Sequence, residues 1–247
     1  ETSDETLARG FDYVLQIGKT PIVVNDKRGF YTSRVFATYV MEGLAMVAEG
    51  VHPRSVEVAG MKAGMPMPPL ALQDEVSLSL SLHISAQTRK DLAAEGIDYP
   101  AHPGEAVLQE VCGVRGRVGK KSGQGLYDYQ GKDKTLWPGL LEIYPPKAEQ
   151  PSQQEIIDRL MFIQANEAAR CFEEKVVRSV SDTNIGSIFG WGFAPHQGGA
   201  LQFINAMGAE AFVARSRELA QRHGARFEPA AIVVKMAQEG GRFEDVL

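Results

Sequence analysis

The sequence predicts a mainly α-helical protein, a helical bundle present in two related copies behind one N-terminal helix and one short strand. Three observations carry that expectation. Apolar residues recur at three- and four-residue spacing through most of the chain, the period of a helix that buries one face. The clear β-branched run, Ile22-Val23-Val24, stands alone with no second convincing strand near it. Both halves repeat one order of features: a long helix, a short serine-bearing helix, then a loop of glycine and proline.

The elements follow in order. Thr2 and Glu5 stand at capping-box spacing, so a helix begins there, with Leu7, Phe11, Val14 and Leu15 on one face and Gly18 as its stop. The strand 22–24 follows. A lone strand would leave its backbone groups unpaired, so helix and strand together read as the tail of a sheet domain whose other strands lie upstream. Residues 30–49 form a long amphipathic helix through Phe36, Tyr39, Val40, Leu44 and Val47. Pro53 opens a short helix to about Ala63, and Gly64-Met65-Pro66-Met67-Pro68-Pro69 is a stiff loop. Helices are expected from Leu70, over 79–95 and over 105–111. A glycine-studded stretch then closes on Leu126-Tyr127-Asp128-Tyr129, and residues 131–151, rich in Gly, Pro and Lys, read as a linker.

Ser152-Gln153-Gln154-Glu155 is a second capping box and opens a helix over 153–175. A short helix or turn over 181–190, a loop over 192–199 and helices near 200–206, 209–223 and 229–239 complete the chain. Glu42 and Glu167 are equivalent at an offset of 125 (167 − 42), and Gly64 and Gly192 at 128 (192 − 64), which predicts an internal duplication. The expected units are 1–26, 27–130, 131–151 as linker, and 152–247.

Composition removes several functions. The chain has 247 residues, 44% hydrophobic and 23% charged, enough for one large core or two modest ones. A net charge of −5 gives nucleic acid no basic surface. No apolar run approaches the roughly 18 residues of a membrane span, and no basic-then-apolar start marks secretion. The first residue is Glu1, so the native start is expected upstream. Cys112 and Cys171 read as reduced thiols, which fits a cytoplasmic protein. His52, His83, His102, His196 and His223 show no metal-ligand spacing, and only His196, in a Pro/Gly loop, draws notice. Gly190-Trp191-Gly192-Phe193-Ala194-Pro195 looks like a phosphate-binding loop, but it follows no strand and ends in proline. Phe189, Trp191 and Phe193 read as a packed aromatic cluster, with the lining of an apolar tunnel as the alternative. Asp74 reads as a backbone hydrogen-bonding group, and Lys120 and Lys121 as a solvated face or a contact to a ligand phosphate.

Three strings have a further meaning. Gly18-Lys19-Thr20-Pro21-Ile22-Val23-Val24-Asn25-Asp26-Lys27-Arg28-Gly29-Phe30-Tyr31-Thr32-Ser33-Arg34 resembles the hinge of the 3-hydroxyacyl-CoA dehydrogenase family. Gly64 to Asp74 and Gly119 to Tyr129 resemble two later motifs of that family, in the same order. With its second half the chain is most similar to the multifunctional fatty-acid oxidation proteins, which carry an enoyl-CoA hydratase part ahead of the dehydrogenase.

The resemblance implies the duplicated helical bundle of the 6-phosphogluconate dehydrogenase C-terminal type. It implies an upstream Rossmann domain that binds NAD and carries a catalytic His–Glu pair, and hence no cofactor bound by this chain. It also implies an acyl-CoA substrate, a (3S)-3-hydroxyacyl-CoA oxidised in β-oxidation, a homodimer, and no activity for this chain by itself. The family asparagine that assists catalysis aligns with Ser33, which is either a substitute substrate contact or simply a residue at a helix start. Arg34, Pro66, Met67 and Pro69 align with substrate-side positions, and Pro68 replaces a family glycine. Two other readings compete: a non-enzymatic helical module for binding or assembly, and another hydroxyacid dehydrogenase of the 6-phosphogluconate dehydrogenase-like type, which the Gly18-to-Arg34 string disfavours.

Overall fold

The computed structural model describes residues 2–99 and 101–244. Helix α1, Asp4–Gln16, is capped by Ser3, whose hydroxyl accepts from the Thr6 N–H. The cap is thus one residue later than the Thr2–Glu5 spacing suggested, because Ser3 takes the extended backbone from which its oxygen reaches back. No residue of α1 is buried; Leu7 and Val14 are half-covered, and Leu15 is 51% exposed.

The expected strand at 22–24 does not form. Val24 alone makes an antiparallel bridge, to Val177, and the Asn25 N–H donates to the Val176 carbonyl. The partner stretch is too short for a ladder, since only residues 174–179 separate the helix that ends at Glu173 from the one that begins at Val180. The described stretch before Gly29 is therefore a helix and an extended segment.

The first unit runs through α2 (Thr32–Ala48), α3 (Pro53–Lys62), α4 (Pro69–Val76), α5 (Leu78–Ala94) and α6 (Gly104–Leu108). Helix α6 continues as a π-helical turn, Gln109–Val114. An antiparallel hairpin follows, β1 (Tyr127–Gln130) with β2 (Asp133–Leu136), and then α7 (Gly139–Ile143). The stretch 131–151 is thus more than a linker: Gly131, at φ 62°, turns the hairpin, and Leu140 of α7 is fully buried. The second unit contains α8 (Gln153–Glu173), α9 (Val180–Trp191), α10 (Ala200–Met207), α11 (Ala209–His223) and α12 (Ala231–Glu239). Ser152 caps α8 as its capping box requires, accepting from the Glu155 N–H.

Helices α2 and α8 pack antiparallel at the centre, and their ion pairs are reciprocal. Arg34 reaches Glu167 and Glu174, and Arg159 reaches Glu42 and Glu49. Arg34 and Arg159, Glu42 and Glu167, and Glu49 and Glu174 are each 125 positions apart (159 − 34, 167 − 42, 174 − 49). The same offset relates two side-chain amides. Asn25 donates to the Lys175 carbonyl at 2.7 Å, and Gln150 donates to the Gly50 carbonyl at 3.0 Å. Equivalent residues meeting each other's partners is the pattern of a two-fold contact, here inside one chain.

The core follows the same arrangement. One cluster joins both units, from Tyr31, Val35 and Tyr39 to Leu160, Phe162 and Phe193. A second lies within the first unit, around Leu44, Leu70, Leu78 and Leu126.

Candidate functional site

Ser33 lies in the first turn of α2 and is exposed; no described residue bonds its hydroxyl. The approach to it is irregular. Gly29 has φ 76°, and Phe30, which is not glycine, has φ 47°. A left-handed backbone at a phenylalanine costs on the order of 1–2 kcal/mol and persists where its surroundings hold it. What holds it is Tyr31, fully buried, whose hydroxyl donates to the Thr183 carbonyl of α9 and whose ring meets Trp191 edge-on at 5.2 Å.

Arg34 turns away from Ser33 to α8. Its Nε donates to Glu167, and its two terminal nitrogens donate to Glu174 at 2.6 and 2.9 Å. All three nitrogens are engaged, so in this structure Arg34 is an anchor between the units.

The loop 64–69 is held from below. The Met67 carbonyl accepts from the Tyr39 hydroxyl at 3.0 Å, and the Met65 N–H donates to Gly60. Pro69 is buried in a notch made by Gly43 and Gly60, where an added methyl would lie within 2.8 Å of the Pro69 ring on either glycine. Glu57, buried in α3, accepts from the Leu70 and Ala71 N–H groups and so caps α4; the Tyr127 hydroxyl donates to it as well. A carboxylate at a helix start is favourable for the free N–H groups there. Burial nevertheless outweighs the bonds from Tyr127, Leu70 and Ala71, and the Glu57 carboxyl is pushed up to about 7. Sequence reasoning missed Glu57, because Val56-Glu57-Val58 in mid-helix carries no sign of a cap supplied from another element.

The two predicted segments converge on the last turn of α9. The Thr32 methyl lies where a side chain on Gly190 would be, 2.6 Å from the built position, and the Pro66 ring packs on Gly192. Gly192 ends α9 in the left-handed conformation at φ 78°. Next to it, the His196 ring closes on Gly64 and bonds Gln197 at 3.0 Å. The motif-like glycines 190 and 192 therefore serve close packing and a helix stop, with no strand before them, and no dinucleotide site fits there. Phe193 is buried and Trp191 nearly so, as expected of a packed cluster, but Phe189 is 74% exposed.

Asp74 does what its sequence position suggested. It accepts from the Leu126 and Tyr127 N–H groups at 2.8 and 3.0 Å and from the Tyr129 hydroxyl, which ties α4 to the hairpin. Lys120 pairs with Glu75 at 2.5 Å. Among the described residues no His, Cys, Asp and Glu group could hold a metal. A cavity of about 870 Å³ lies between Asn25, the end of α8 and the start of α12, and neither Ser33 nor the 64–69 loop lines it. A smaller one, about 340 Å³, opens beside Pro68 between Glu57, Val58, Met61 and Lys62.

Known proteins share part of this sequence and its fold. Residues 29–129 match the family described as 3-hydroxyacyl-CoA dehydrogenase, C-terminal domain. The structure is similar to 3-hydroxybutyryl-CoA dehydrogenase from Escherichia coli K12, with a TM-score of 0.75 and 19% identity over 96% of this chain. It is also similar to the dehydrogenase part of multifunctional enzyme 1 from C. elegans, with a TM-score of 0.65 and 20% identity over 95% of this chain. The chain spans 66% and 54% of those two chains. Residues 29–129 therefore match that C-terminal domain family, and nearly the whole chain shares the helical fold of the two structures.

Proposed function

We propose that the chain is the helical part of an NAD-dependent (3S)-3-hydroxyacyl-CoA dehydrogenase of fatty-acid β-oxidation. In that protein it supplies the acyl side of the substrate cleft and the contacts between subunits. The carrying observation is the convergence of the Ser33 turn and the Pro66–Pro69 loop, both inside the family match, on one end of α9. An unbonded, exposed hydroxyl at Ser33 is available to hydrogen-bond a substrate oxygen, and the braced loop gives that contact a fixed wall.

The nucleotide belongs to another part of the protein in this reading, since Gly190 and Gly192, in the segment most like a phosphate loop, are taken up by packing against Thr32 and Pro66. The apolar face of α1, bare along Phe11 and Leu15, supports an upstream domain packed on it. The same reading assigns residues 1–26 to the end of that domain, and residues 27–130 and 152–247 to two related helical domains. It also places an enoyl-CoA hydratase part earlier in the protein. Two free cysteines fit a cytoplasmic protein, and no described helix is long and apolar enough to cross a membrane. A homodimer built on these helices completes the proposal.

The test is NADH formation from a 3-hydroxyacyl-CoA by the full-length protein, by its Ser33→Ala variant and by this chain alone. The expected result is turnover by the full-length protein, a rate about ten-fold lower or less for Ser33→Ala, and none for this chain. A full-length protein that binds acyl-CoA without turnover would turn the reading toward a binding or assembly module, for which Ser33 and Pro68 would mark the lost site.

A further inference from the structure

Phe189 belongs to the second unit, yet its helix end is where the two candidate site segments of the first unit meet. Thr32, the residue before Ser33, rests on Gly190, and Pro66 rests on Gly192. Phe189 is the exposed aromatic of that turn, and Ile185, one turn earlier on the same face, is 38% exposed. Phe30, three residues before Ser33, is exposed as well and is held in a left-handed backbone. Phe30 and Phe189 are thus exposed phenylalanines on the two segments that meet at Thr32 and Gly190, and the Ser33 hydroxyl follows Thr32 in the first of them. That composition suits a ligand with a polar head and an apolar tail.

We infer that Phe189 is a chain-length-determining residue: the second unit lends it to the substrate cleft, where it covers the acyl chain beyond the atoms that Ser33 contacts. The inference rests on the dehydrogenase reading above and deepens it. Its physical content is selective. A short acyl group ends before it reaches the α9 turn and gains nothing from the ring. A long acyl chain transfers apolar surface from water onto the ring, which lowers KM and leaves kcat unchanged, because the contact is the same in ground and transition states.

The experiment is steady-state oxidation of 3-hydroxybutyryl-CoA and 3-hydroxydodecanoyl-CoA by the full-length protein, with and without Phe189→Ala. The exposed position makes the variant safe for folding, and near-UV circular dichroism of the Tyr31–Trp191 contact checks it. The inference expects kcat/KM for the dodecanoyl substrate to fall roughly ten-fold through KM, and that for the butyryl substrate to stay within about two-fold. Phe189→Leu, which restores an apolar side chain, is expected to recover most of the loss. An unchanged preference in an active Phe189→Ala enzyme would overturn this inference and leave the dehydrogenase reading standing. Equal losses on both substrates would overturn it too, since they would make Phe189 a general support of the site. A full-length protein inactive on both substrates would overturn the two together.

Discussion

At the scale of single residues, Glu57 ties the helix start behind the candidate loop to pH. It is buried, it caps α4 directly after Pro66–Pro69, and burial lifts its carboxyl to about 7 from the ordinary glutamate value of about 4.3. A folded-state value above the unfolded one means that folding takes up a proton. The contribution is therefore complete below about pH 4 and is lost as pH rises through 7. For this largely buried group the swing is on the order of 3 kcal/mol. Glu57→Gln keeps an acceptor for the Leu70 N–H and removes the titration. Urea midpoints are expected to fall from pH 5 to pH 8 more steeply in the unsubstituted protein than in Glu57→Gln. Parallel profiles would show that Glu57 is charged throughout, with its three donors outweighing burial.

At the scale of elements, helix ends show what local sequence can and cannot convey. The periodic spans were legible: 30–49 and 153–175 correspond to Thr32–Ala48 and Gln153–Glu173, because a helix is specified by residues three and four apart. Ile22–Val24 misled because a strand needs a partner, and here the partner offers a single bridge. The glycine- and lysine-rich stretch after Gln130 read as linker because composition does not distinguish a hairpin turn from a tether. The convergence on α9 was illegible, since it joins residues far apart in sequence. The duplicated helices also end differently. Helix α2 gives way to Gly50 at φ 86°, and α8 gives way to Lys175 at φ 57°, each with its carbonyl held by the other segment's amide. A side chain in that conformation costs about 1 kcal/mol or more, while glycine gives back part of this in unfolded-chain entropy. Gly50→Ala should therefore destabilise by about 1–2 kcal/mol, the more so because Lys147 lies 3.0 Å from the added methyl. Lys175→Gly should be neutral or stabilising by up to about 1 kcal/mol. Thermal midpoints moving in the opposite order would show that the αL residue is not what limits either helix end.

At the scale of the whole molecule, the repeated Glu42 and Glu167 signal marked the duplication, but not that the copies face each other. The structure supplies that, and also an asymmetry that one chain permits and a symmetric dimer would not. Arg159 is 1% exposed, against a Glu42 that is wholly buried, and Arg226 joins them, donating to Glu42 at 2.7 Å. Arg34 is 22% exposed, and its second partner, Glu174, is 45% exposed. Equivalent ion pairs therefore stand in different dielectric surroundings, and the cost of breaking each should differ with them. Removing Arg159 leaves a buried carboxylate with one cation fewer, a loss expected at about 3–5 kcal/mol. Arg34→Ala exposes its carboxylates to water that can take over solvation, so about 1–2 kcal/mol is expected, between the exposed and buried ranges. The pair of variants compares burial at matched helix positions, each site keeping a second cation, Arg226 on Glu42 and Arg170 on Glu167. Chemical denaturation at matched slopes reads the difference, and raising the salt concentration should narrow the loss at Arg34 more than at Arg159. Equal losses would mean that water reaches the Glu42 site as readily as the Glu174 site. The two halves would then be closer to true symmetry than their burial indicates.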